Sequence, residues 1–418
     1  MRTRILPVVL FATASLAAAP RADQLQSAQA ARPAATDARP AAPKPGASAA
    51  PSAAFDRLAQ QAEAAREAQR LDEANGFYEK GLKLRPTWVE GHWYLGANSY
   101  ELDRYDIARD AFRRVVQLQP DNGAAWTFKG LCEFQLKNYD EALANLLRGR
   151  SLGIGQAKGL VSVARYHTGL LFNRNEQHEQ ALQTLKDFAQ EGDDGPRIIE
   201  ALGLAALRIP LLPADVPGPK REMVMLAGRA AYYTAARFNA AAKKAYEELV
   251  ARYPEAPNVH YAYGVFLTGE EPDAAVEQYE AELKVSPRHP WAKMQLAFEY
   301  IRRGEWDNAR PWAQQAVEEA PTVFVARRAL GQVLLEQGDI EGAVRELEAG
   351  AKMAPDSAAM RFALARAYRR AGRSAEAERE QIEFARLDRI SRTQRQGAQS
   401  VGGIELDSDS APSAAPQP

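Results

Sequence analysis

Residues Trp93 to Phe112 read WYLGANSYELDRYDIARDAF, and two helical patterns meet in this stretch. Leu95 and Gly96 lie side by side in the first pattern; Ala108 and, four residues later, Phe112 lie on one face of the second. Small residues at 96 and 108 let two helices cross closely, and Leu95 and Phe112 fill the space around the crossing. Pro120 then ends the second pattern and turns the chain. Outward from here the same features return at a fixed interval. Pro86 and Pro120, Gly96 and Gly130, Pro287 and Pro321, and Pro321 and Pro355 are each 34 residues apart. A pair of helices of that size cannot enclose a core, so its apolar residues must be buried against the next pair.

The recurring residues resemble the tetratricopeptide repeat. Leu95, Gly96, Tyr105, Ala108, Phe112 and Pro120 form the fullest copy, and Gly130 with Ala142, Gly264, Ala309, Gly331 with Ala343, and Ala377 hold packing positions in others. About nine units can be read between residues 55 and 390. The resemblance implies an all-α fold, a right-handed α-solenoid of stacked helix-turn-helix repeats in two arrays, spanning 55–192 and 223–390. Residues 193–222 break the period with a short apolar helix, Pro196 to Leu207, and then Pro210, Pro213, Pro217 and Pro219. They are expected to be a connector that packs Ile198, Leu202 and Leu207 against the neighbouring repeats; the sharper alternative is a hinge or a flap.

The ends of the chain differ from its middle. Arg2 and Arg4 precede an apolar run from Ile5 to Leu16 and then small residues, a secretory signal pattern over residues 1–22 that is too short and too interrupted to span a bilayer. Residues 23–54 are rich in Ala and Pro and 391–418 are polar, and both are expected to be disordered. The single cysteine, Cys132, allows no intramolecular disulfide and stands far from any lipoprotein cleavage site. The expected location is therefore periplasmic or secreted, without a lipid anchor.

Composition excludes more than it selects. With 418 residues, a formal net charge of -1 and 46% hydrophobic residues, the chain has no polyanion-binding signature, so nucleic acid is not an expected partner. His178, in NEQHEQA, lacks the second histidine of a zinc-protease helix, and neither a phosphate-binding glycine loop nor a G-x-S-x-G elbow occurs. His92 and His260 occupy the repeat position that Trp126 fills in its own unit and are read as packing residues. No cofactor, metal or catalytic residue is expected, and the chain is not expected to be an enzyme.

What the resemblance offers is a surface, because in the family the first helix of each repeat lines a groove that holds a peptide or a partner helix. Carried over by register, that groove would contain Trp93, Tyr100, Phe134, Tyr166, Tyr261, Trp291, Phe298, Arg328, Arg366, Arg369 and Arg370. It would be aromatic for most of its length and basic near the end. Ala97, Leu131, Leu170, Val265 and Phe298 stand where chaperone-clamping members carry asparagine, so that specialised function is not expected. The expected function is a protein-interaction scaffold of the cell envelope, in an assembly or secretion complex. The alternative is a glycan or small-molecule receptor with residues 193–222 as its lid.

Overall fold

The computed structural model describes residues 49–154 and 158–402; the signal pattern, most of the spacer and the final tail lie outside the described residues. Among the described residues there are nineteen α-helices and no strand. The chain divides into two compact units, Met1–Ala245 and Tyr246–Pro418.

In the first unit the helices run in pairs: α1 (Ala49–Glu67) with α2 (Leu71–Leu84), α3 (Val89–Glu101) with α4 (Tyr105–Leu118), α5 (Gly123–Gln135) with α6 (Tyr139–Leu152), and α7 (Lys158–Arg174) with α8 (His178–Gln190). Then come α9 (Pro196–Ala206), a short 3-10 turn at Pro213–Asp215, and α10 (Gly218–Ala235); the division into units falls within α11 (Asn239–Arg252). The second unit continues with α12 (Val259–Leu267) and α13 (Pro272–Val285), α14 (Pro290–Arg303) and α15 (Trp306–Glu319), α16 (Phe324–Glu336) and α17 (Ile340–Met353), and α18 (Ala358–Arg370) and α19 (Ser374–Gly402). Nineteen helices are thus nine contacting pairs, α9 with α10 among them, and α11, which the division crosses, is the remaining one. This is an α-solenoid of helix-turn-helix repeats.

In several pairs the two helices close around one large-to-small contact. A Cβ placed on Gly96 would lie 3.0 Å from the Phe112 ring, one on Gly264 2.6 Å from the Tyr279 ring, and one on Gly331 2.5 Å from Leu347 Cγ. The bulky partner comes from the second helix, sixteen, fifteen and sixteen residues downstream respectively. Where Ala297 replaces the glycine, Ala313 replaces the bulky residue, so the summed volume at the crossing stays low. Leu95, Ala108, Ala142, Ala309, Ala343 and Ala377 are all buried, and Gly130 abuts Leu146.

Successive repeats are joined by a second recurring device. Trp126 Nε1 donates to Pro120 O at 2.9 Å, and His92 Nε2 meets Pro86 O at 2.9 Å in the same way. His260 reaches Pro254 O at 3.1 Å, while Arg327 and Arg361 donate Nε–H to Pro321 O and Pro355 O at 3.2 and 3.0 Å. What the position requires is an N–H that reaches a carbonyl six residues back, which indole, imidazole and guanidinium all provide. The proline stops the preceding helix, and this bond fixes the carbonyl left at the turn.

Two boundaries differ from expectation. Residues 49–54, assigned to the spacer, open α1, and α19 continues past residue 390 to Gly402. Alanines at the first end, and arginine and glutamine without an internal proline at the second, favour the helix.

Candidate functional site

First helices of successive repeats lie side by side, as α5 and α7, α14 and α16, and α16 and α18 do. In the first unit the rings on this layer are turned to packing. Trp93 is half-buried, edge-on to Phe112 and Phe128 at 5.5 and 5.8 Å. Tyr100 is only 1% exposed, set against Tyr105 and Phe128, so it lies in the core and not on an open face. Its register explains this, since the matching Leu335 is likewise buried at 1% exposure. Phe134 stands edge-on to Tyr139 and His167, and Tyr166 sits between His167 and the Arg197 guanidinium.

The second unit keeps more of this layer accessible. Tyr261 is buried against Tyr279 and His289, but Trp291 and Phe298 are half-buried around Met294, and Phe362 is 45% exposed. Arg328 on α16 holds its guanidinium carbon 5.2 Å from the Phe298 ring centre. No hydrogen bond or ion pair to Arg328 exists among the described residues, and burial alone lowers its pKa, with no neighbouring charge opposing it. Arg366 and Arg370, by contrast, share Glu336 at 2.6 and 3.4 Å, and Arg361 is paired with Glu380 at 2.9 Å.

Arg369 belongs elsewhere. With Ser374, Ala377, Glu378, Gln381, Ile382 and Ala385 it lines a shallow cavity on the outer side of the last pair. One repeat earlier, the positions of Arg369, Glu378 and Gln381 are Leu335, Val344 and Leu347, all buried. In the last pair three polar side chains replace them, as a terminal repeat facing water requires.

Charge is unevenly shared among the first helices. Arginines and lysines outnumber carboxylates by two on α14, by one on α16 and by four on α18, giving the last three a net +7. The first three, α1, α3 and α5, sum to -3.

The remaining titratable groups serve the fold. His167 donates from Nδ1 to Val163 O at 2.8 Å, and burial holds its pKa at about 4. His178 is also lowered to about 4, by burial and then by Arg208; its Nδ1 meets Asn173 Oδ1 at 2.8 Å. Burial pushes the Cys132 thiol up, away from any nucleophilic range. Among the described residues no three His, Cys, Asp or Glu side chains could hold a metal ion, and no helix is long and apolar enough to cross a membrane.

Residues 193–222 are tied down. Ile198, Leu202 and Leu207 are buried at 7%, 1% and 0% exposure. On α9 and α10 Gly203 and Gly228 face backbone so closely that a Cβ on either would lie 1.9 Å from the carbonyl oxygen of Val224 or Ile199. Asn173 Nδ2 donates to Ile209 O at 2.7 Å, and Arg221 bonds Glu200 at 2.5 Å and Pro213 O at 3.1 Å. A flap would have to break these contacts.

The family model described as tetratricopeptide repeat matches residues 98–152, 265–323 and 328–386. No curated protein matches the chain. Among solved structures, MamA 41-end from Desulfovibrio magneticus RS-1 is similar at 16% identity and a TM-score of 0.37, covering 40% of this chain and 96% of that one. MamA MSR-1 C2 is similar at 20% identity and 0.34, over 41% and 98%. Yeast Tom70 is similar at 12% identity and 0.33, over 80% and 85%.

Proposed function

Because the chain is a tetratricopeptide-repeat protein, we propose that it is a non-enzymatic interaction scaffold of the cell envelope, holding a protein or peptide segment along its first-helix layer. The observation that carries this reading is the second unit's layer, where Trp291, Phe298 and Phe362 keep ring surface accessible and Phe298 lies beside Arg328. Partly exposed aromatic and arginine side chains in a packed setting are the usual anchors of protein recognition. Export is supported by the sequence alone, through Arg2, Arg4 and the apolar run from Ile5 to Leu16.

A photocrosslinking residue placed at Val265, Gln332 or Phe362 should capture one and the same envelope protein from living cells. Placed at Glu341 or Arg345, on a second helix, it should capture none. Equal capture from both sets, or none from the first, would sink the proposal.

A further inference from the structure

Arg328 is the point at which the layer's chemistry becomes specific. An arginine half out of water with no carboxylate to pair with is costly, and such a group calls for an account of what satisfies it. Its neighbours point the same way. The Phe298 ring lies beside the guanidinium, and no side chain or carbonyl among the described residues takes its N–H groups, which a planar acceptor could engage.

The +7 of α14, α16 and α18 does not act as a bare basic stripe. Arg361, Arg366 and Arg370 are already bonded to Glu380 and Glu336, and Arg302 to Glu299. A phosphate backbone gains affinity from a run of free cations. One free arginine beside an accessible ring suits a single carboxylate flanked by apolar side chains, in a field that is positive overall.

We infer that the first-helix layer of the second unit receives an acidic peptide segment from another chain, with one carboxylate bidentate on Arg328 and a flanking apolar side chain against Trp291 and Phe298. This rests on the scaffold reading and names the chemistry of its partner. The chain's own acidic residues, Glu405, Asp407 and Asp409, have the right composition but not the reach. At 1.5 Å per residue α19 carries Gly402 about 42 Å from Ser374. Seven extended residues recover at most about 25 Å, before any sideways distance.

The probe is a fluorescein-labelled synthetic peptide of residues 401–412, VGGIELDSDSAP, beside its neutral form with Glu405→Gln, Asp407→Asn and Asp409→Asn. Anisotropy is measured with the full chain, with Arg328→Gln and with Arg345→Gln, each checked for wild-type helicity. The acidic peptide should bind, more weakly as salt rises. It should lose at least about tenfold in affinity to Arg328→Gln, as removal of a charge-assisted bond predicts, and nothing to Arg345→Gln. Equal binding of the neutral peptide, or unchanged affinity in Arg328→Gln, would overturn the inference. So would tighter binding after removal of residues 403–418, which would make the chain's own tail the occupant. Loss of crosslinking at Gln332 and Phe362 together with retained peptide binding would instead strike the scaffold reading alone.

Discussion

The first three repeats and the last three share one packing scheme but turn their corners differently. Between the two helices of a repeat one residue takes a left-handed conformation: Gln69, Asp103 and Lys137 in the first three, Gly304, Gly338 and Gly372 in the last three. The hydrogen bonds are the same, with Arg104 N–H reaching Ser99 O at 2.8 Å and Glu305 N–H reaching Tyr300 O at 2.9 Å. A side chain at such a turn costs roughly 1–2 kcal/mol that glycine avoids. The first three repeats therefore carry local strain that their cores must offset, and the first two place rings at the crossings, Tyr78 and Phe112, where Ala313 and Leu347 stand later. Stacking can tolerate a poor turn if the crossing beside it is well filled.

That comparison breaks most sharply at Phe112, which is fully buried. Phe112→Ala should cost about 3 to 5 kcal/mol by leaving a cavity opposite Gly96. Denaturant unfolding indistinguishable from wild type would show that the crossing does not offset the strained turn at Asp103.

Acid should separate the units next. His167 and His178, both in the first unit, have folded pKa values near 4, below the unfolded value of about 6.5. The unfolded chain therefore takes up protons first as the pH falls, and stability present above about 6.5 drains away down to about 4. Hydrogen exchange should show amides of α7 and α8 losing protection at pH 5 before those of α16 and α17. The reverse order would refute the assignment.

Exchanging the turns tests the comparison directly. Gly338→Ala should destabilise by about 1 to 2 kcal/mol, whereas Lys137→Gly should stabilise by up to about 1 kcal/mol. A melting temperature that falls in both variants would mean the Lys137 turn is unstrained. The smallest effect is expected at Trp126→Phe, which keeps the ring and removes the bond to Pro120 O, for about 1 kcal/mol. No change in urea midpoint would leave that bond without a role.

The same contrast explains what the sequence disclosed. Gly304, Gly338 and Gly372 announce their turns because glycine is the residue that left-handed backbone favours. Lys137 and Gln69 announce nothing, and only the flanking 34-residue period places them. Packing positions were legible for a related reason: a glycine facing a bulky residue is a volume statement, and volume is written in residue type. The binding layer was harder to read. Register puts Tyr100 and Arg328 on the same helix layer, but whether a side chain is closed in or left accessible depends on what the next repeat brings against it. The pairing of Arg366 and Arg370 on Glu336 joins residues more than one helix apart; the 34-residue period puts Glu336 and Arg370 at matching positions of adjacent repeats but does not say that their side chains meet. The bond from Trp126, His92 and Arg327 to a proline carbonyl went unread because three chemically unlike side chains perform it.

The polar side chains Arg369, Glu378 and Gln381 carry a consequence for number. A repeat array has no inherent length: each pair presents to the next the face on which a further pair could settle, and identical faces would also let whole molecules join end to end into a fibre. Three substitutions in the last pair deny that face its grease. Where those side chains stand, the last described pair presents a polar face rather than one shaped like its neighbour's.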